Sequence, residues 1–177
     1  HHQGLGGQLA RALHARSART VGWRGKGVNG IRARALADQL AAEPPPEADL
    51  VVISLGVNDT TGLTRPGRYQ ADLRALIDAL RRDRPSLPVA LLSVPPMQHF
   101  TALPRPLRQV LGLRAARLDR AQRDLAERLE GVQHLAYPVI ADPAYLAEDG
   151  YHPGERGYAY IADRVADTLA ARLTPCR

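Results

Sequence analysis

Leu50-Val51-Val52-Ile53-Ser54-Leu55 is the stretch on which the fold turns. It is a short, almost continuous apolar run, which reads as a strand buried on both faces, the habit of parallel sheets. Val89-Ala90-Leu91-Leu92-Ser93-Val94 repeats the pattern. Between the two, Tyr69, Leu73, Leu76, Ile77 and Leu80 recur at helical spacing, and Pro85 closes that segment. Strand, helix, strand in this order predicts a right-handed crossover joining parallel strands.

The alternation continues outward in both directions. Upstream, Leu5, Leu9, Ala12 and Leu13 share a helical face, Thr20-Val21-Gly22-Trp23 reads as a short strand, and a helix over 31–42 stops at Pro44-Pro45-Pro46. Downstream, a proline-rich loop over 95–106 leads into a long helix presenting Leu107, Leu111, Leu118, Leu125 and Leu129. A weaker strand over 132–136 follows, and a last helix over 153–173 turns Tyr158, Ile161, Ala162, Val165 and Leu169 inward. The class is α/β: one domain over 1–177, with a parallel sheet covered by helices on both faces. Ligands of such sheets bind beyond the carboxyl ends of the strands.

Composition narrows the partners. The net charge is +6 with pI near 10.1, but Lys26 is the only lysine. The arginines are dispersed, and between Arg105 and Arg128 they alternate with Asp119, Asp124 and Glu127. That pattern is a solvated surface rather than a nucleic-acid face. Cys176 is the only cysteine, so no internal disulfide or thiolate metal cluster is expected. No run approaches the ~20 apolar residues of a membrane span. The chain opens on His1-His2-Gln3 rather than Met, so its compartment is open, as is its oligomeric state.

Two motifs offer chemistry. In Asp149-Gly150-Tyr151-His152-Pro153 a carboxylate stands three residues from an imidazole. It can hold one ring nitrogen and leave the other as a base. Equally, Asp149 can cap the last helix, with Pro153 at its first position. Gly56-Val57-Asn58-Asp59 follows the first buried strand, and the Asn58 amide can donate to a developing oxyanion; Asn58-Asp59-Thr60-Thr61 also reads as a turn and helix start. Gly30, in Gly27-Val28-Asn29-Gly30-Ile31, can offer a backbone N–H at the mouth of the next helix or be a simple loop glycine. The glycine-rich run around it has neither a P-loop spacing nor a dinucleotide fingerprint.

Together these residues resemble the SGNH (GDSL-type) hydrolase family over essentially the whole chain. Gly30 matches the Gly block, Asn58 the Asn block, and Asp149 and His152 the D-x-x-H-P block, with Gly157 in its usual place downstream. The resemblance implies a flavodoxin-like three-layer α/β/α fold with sheet order 2-1-3-4-5. It also implies serine-dependent hydrolysis of carboxylic esters through an acyl-enzyme, on a small-molecule ester, with no metal or organic cofactor. Asp149 and His152 would supply the base, and Gly30 and Asn58 the oxyanion donors. The departure is the nucleophile. Only Ser17, Ser54, Ser86 and Ser93 exist, and none stands in a Gly-Asp-Ser turn. The expectation is a chain incomplete at its N-terminus, lacking the first strand and the serine block, and inactive as printed. The rival readings are a catalytically silent acyl- or glycan-binding domain of the same fold and a flavodoxin-like nucleotide or phosphate binder using the loop over 25–30. Pro95-Pro96-Met97-Gln98-His99-Phe100 either lines an acyl or alcohol pocket or is a rigid surface loop.

Overall fold

Three strands, β1 (Val51–Ser54), β2 (Val89–Leu92) and β3 (Val132–Leu135), form one parallel sheet in the order β1-β2-β3. The register sets Val89 against both Val51 and Val132, and Leu92 against both Ser54 and Leu135. In this computed structural model, residues 4–173 other than Pro44 and Ala141 are described. The chain divides into two compact units: Val28–Gln98 with Arg105–Ala136, and His1–Gly27 with His99–Pro104 and Tyr137–Arg177.

The first of these units carries the sheet and helices α2 (Ala33–Ala42), α3 (Val57–Thr61), α4 (Pro66–Leu80) and α5 (Leu107–Arg128). The periodic residues of α4 are all buried: Tyr69, Leu73, Leu76, Ile77 and Leu80. Removing a side chain such as Leu73 from water contributes about 1.5–3 kcal/mol. α4 packs against α2 and α5, and α5 against β3. Central strand β2 is buried throughout, as its apolar run requires. By contrast, β1 is an edge strand: among the described residues it pairs only with β2, its valines are half-buried and Ser54 is exposed. The burial on both faces expected of this strand is corrected to partial burial.

The other unit pairs α1 (Leu5–Ser17) with α6 (Glu155–Leu173). Leu9, Ala10 and Leu13 of α1 and Ile161, Ala162, Val165 and Leu169 of α6 are buried. Arg16 ties the pair together through Asp163 at 2.6 Å and Asp167 at 2.8 Å. Thr20-Val21-Gly22-Trp23 joins no ladder among the described residues. Four residues become a strand only when a neighbour supplies the other half of the ladder; Trp23 instead lays its ring over Gly6 of α1, 2.8 Å from where a Cβ would stand. No helix among the described residues is long and apolar enough to cross a membrane. Cys176, His1 and His2 lie outside the described residues.

Candidate active site

β1 hands the chain to Gly56, whose φ of +111° starts α3. Only glycine suits this turn, because a Cβ would fall 2.5 Å from a Val94 methyl and 3.0 Å from the Tyr69 hydroxyl. That hydroxyl donates to Gln122 Oε1 at 2.9 Å, and Gln122 Nε2 donates to the Leu92 carbonyl at 2.9 Å. A buried polar chain thus pins the turn after β1 to the end of β2. Burial pushes the Tyr69 phenol well above its ordinary pKa, so it stays a neutral donor.

Asn58 lies on α3 and donates its Nδ2 to the Ile31 carbonyl at 3.1 Å. A carboxamide nitrogen carries two hydrogens, so this bond orients the group and leaves one N–H for an incoming oxygen. Gly30 adjoins Ile31 in a left-handed turn, φ +73°, closed by the Ile31 N–H donating to Val28 O at 3.2 Å. The structure therefore brings the loop of Gly30 and the side chain of Asn58 together. Gly30 is not at the helix mouth: Ile31 and Arg32 stand between it and α2.

Asp59 was not singled out by the sequence, yet it joins these pieces. It is 1% exposed. Its Oδ2 accepts the Ala33 N–H at 3.1 Å at the start of α2, and its Oδ1 accepts the Thr64 hydroxyl at 3.3 Å. Burial raises the Asp59 pKa; the Ala33 and Thr64 bonds and nearby Arg32 oppose the rise. A second Asp–His pair leaves no local sequence pattern, because fifteen residues separate its members. Asp119 of α5 accepts from His134 of β3 at 2.8 Å and from the Val94 N–H at 3.0 Å, binding helix to sheet.

In the unit of α1 and α6, Asp149 and His152 meet as expected: His152 Nδ1 lies 2.6 Å from Asp149 Oδ2. Asp149 Oδ1 also accepts the N–H groups of Tyr151 and His152, each at 2.9 Å. The carboxylate thus caps its own loop and not the helix, since α6 begins only at Glu155. The expected place for Pro153, first in the helix, is corrected too: it pairs antiparallel with Leu146, closing the loop under the His152 carbonyl, which accepts the Ala147 N–H at 2.8 Å. Three donors, the imidazole first, hold the Asp149 carboxyl at about 2. Side-chain exposures of 62% for His152 and 50% for Asp149 leave the free ring nitrogen open to a ligand. Tyr151 stacks edge-on with Phe100 at 4.8 Å and with the His152 ring at 5.0 Å, so Phe100 of the proline-rich segment belongs beside this loop.

The serines are placed elsewhere in role. Ser17 donates to Leu13 O at 2.8 Å within the last turn of α1. Ser54 lies within β1, Ser86 is exposed ahead of β2, and Ser93 is buried just after it.

A family model of the GDSL-like lipase/acylhydrolase family matches residues 1–160. The chain belongs to that family. A curated relative within it, a GDSL-like esterase of Mycobacterium tuberculosis, is 32% identical over 177 residues, covering 94% of this chain and 55% of its own length. The chain thus spans about half of that GDSL-like relative. Among solved structures, an acetyl esterase with acetate bound is 17% identical at a TM-score of 0.64, covering 84% of this chain and 72% of its own. A carbohydrate esterase of family 3 from Talaromyces cellulolyticus is 14% identical at a TM-score of 0.65, covering 96% and 92%. At such identities the two structures speak for the fold: an α/β esterase-type fold with a parallel sheet.

Proposed function

We propose that the complete protein hydrolyses carboxylic esters of small molecules through a serine acyl-enzyme. The observation that carries the reading is the 2.6 Å contact between Asp149 and His152 Nδ1, which leaves Nε2 as the base. In the first half-reaction a serine oxygen attacks the ester carbonyl while Nε2 takes its proton. That proton then passes to the departing alcohol as the C–O bond breaks. In the second half-reaction water repeats the attack and frees the acid. The Gly30 N–H and the second N–H of Asn58 donate to the oxyanion in both.

The nucleophile is a serine outside these 177 residues, since Ser17 closes a helix turn, Ser54 lies in a strand, Ser86 is exposed ahead of β2, Ser93 is buried after it, and none follows Gly-Asp. The free edge of β1 suits a further parallel strand that would end in that serine. No metal or organic cofactor enters this chemistry. The test is hydrolysis of short-chain p-nitrophenyl esters by the complete protein with and without chelator. Turnover should be insensitive to chelation and fall by several orders of magnitude in His152→Ala. Near-full activity in that variant would remove His152 from the mechanism. A complete protein with no serine in the block before His1 would point instead to the silent acyl- or glycan-binding reading.

A further inference from the structure

The first half of α5 is apolar twice over. Leu111, Ala115 and Leu118 face the core, but Leu107, Val110 and Leu113 face outward at 45%, 52% and 69% exposure. Their spacing of three places them on one helical stripe, and one turn further that stripe becomes exposed Arg117 and Arg120. From Leu107 to Leu118 the helix has three arginines and no carboxylate, and its acids begin only at Asp119.

Leu63 stands on a turn held against the same helix. It is 65% exposed and held at φ +59°, a left-handed conformation that Cβ sterics disfavour for leucine. Arg114 of α5 holds that turn by donating to Thr60 O at 3.5 Å and Thr64 O at 3.2 Å, on either side of Leu63. An apolar side chain kept both strained and solvated gains nothing for the fold, which points to a use outside it.

We propose that Leu63, Leu107, Val110 and Leu113 form a docking surface for an anionic lipid bilayer. The apolar side chains enter the interface, and Arg117 and Arg120 meet the headgroup charge. Charge complementarity selects this occupant: an apolar stripe continued by Arg117 and Arg120 before the helix meets Asp124 and Glu127, with the intervening Asp119 turned to His134 and the Val94 N–H, is the pattern of a helix lying in a membrane interface. The test reads binding alone.

The experiment is co-sedimentation of the complete protein with phosphatidylglycerol-containing vesicles, against phosphatidylcholine vesicles, at low and high salt. Binding should be strong only to the anionic vesicles at low salt, and Val110→Ser/Leu113→Ser should lower the partition about tenfold or more. Arg117→Gln/Arg120→Gln should weaken the salt dependence. Leu63→Gly separates docking from folding: glycine relieves the left-handed turn, so the melting temperature should hold or rise while vesicle binding drops. Equal partition of wild type and Val110→Ser/Leu113→Ser overturns the proposal, as does failure of the folded wild type to bind anionic vesicles. A dimer that dissociates in Val110→Ser/Leu113→Ser, without lipid binding, would assign the surface to self-association and overturn it as well.

Discussion

Asn58 has one N–H committed to Ile31 and one free, which sets what its loss should do. The free hydrogen bond strengthens as charge develops on the substrate oxygen, so Asn58→Ala should lower kcat by roughly 10²–10³ with little change in KM. Steady-state kinetics decide: a change confined to KM would make Asn58 a ground-state contact. Asp149 carries a pH prediction. Its folded pKa of about 2 lies below the ordinary 3.8, so the stability it contributes is present above 3.8 and is lost as pH falls toward 2. A carboxyl NMR titration should find it ionised down to that range, and His152→Ala should move its midpoint upward. Asp149 and His152 were legible because they are three residues apart and meet through one short loop. Asp59 and Gln122 were not, since a buried carboxylate's partners lie 26 and 5 residues away and an amide's 53 and 30, and no local pattern records them.

At the scale of elements, α2 and α3 are joined through the Asp59 carboxylate. Asp59→Ala would leave the Ala33 N–H buried without its acceptor, at a cost of about 1–3 kcal/mol, and release the loop carrying Gly30 and Ile31. Both the melting temperature and kcat should fall, with circular dichroism still showing a folded protein. Gly157 sets the seat of α6: a Cβ there would stand 2.2 Å from Tyr145 O and 2.9 Å from Pro153. Alanine gains about 1 kcal/mol of helix propensity, but overpacking against backbone costs about 1–3 kcal/mol and wins. Thermal melts should therefore show Gly157→Ala destabilised, and an unchanged or raised melting temperature would mean that the helix slides freely. The helices were the readable elements, since α4 buries every residue its spacing selects and α6 all of them but Tyr158, which is half-buried. Strands were less so. β2 is the buried strand its composition announces, whereas β1 has the same composition and sits at an edge, and 20–23 joins no ladder among the described residues. A strand is half defined by its neighbour, and a single segment does not contain that half. Leu107 misled for a different reason: helical spacing gives a residue's angle but not what lies opposite it.

For the whole molecule, the sheet and the chemistry make one joint demand. β1 presents a row of backbone groups with no ladder partner among the described residues, and Ser17, Ser54, Ser86 and Ser93 stand in no Gly-Asp-Ser turn. If the proposed nucleophile arrives on a strand added to that edge, residues 1–177 alone should show no ester hydrolysis above background and should melt poorly. A peptide of about 10–15 residues carrying a strand and its terminal serine should restore both properties, because the strand completes the ladder that positions the hydroxyl. A peptide with alanine for that serine should restore the melt and not the activity, which separates the strand's structural part from its chemical one. Hydrolysis by residues 1–177 unaided would assign the nucleophile to one of the four serines already present and end the case for an added strand.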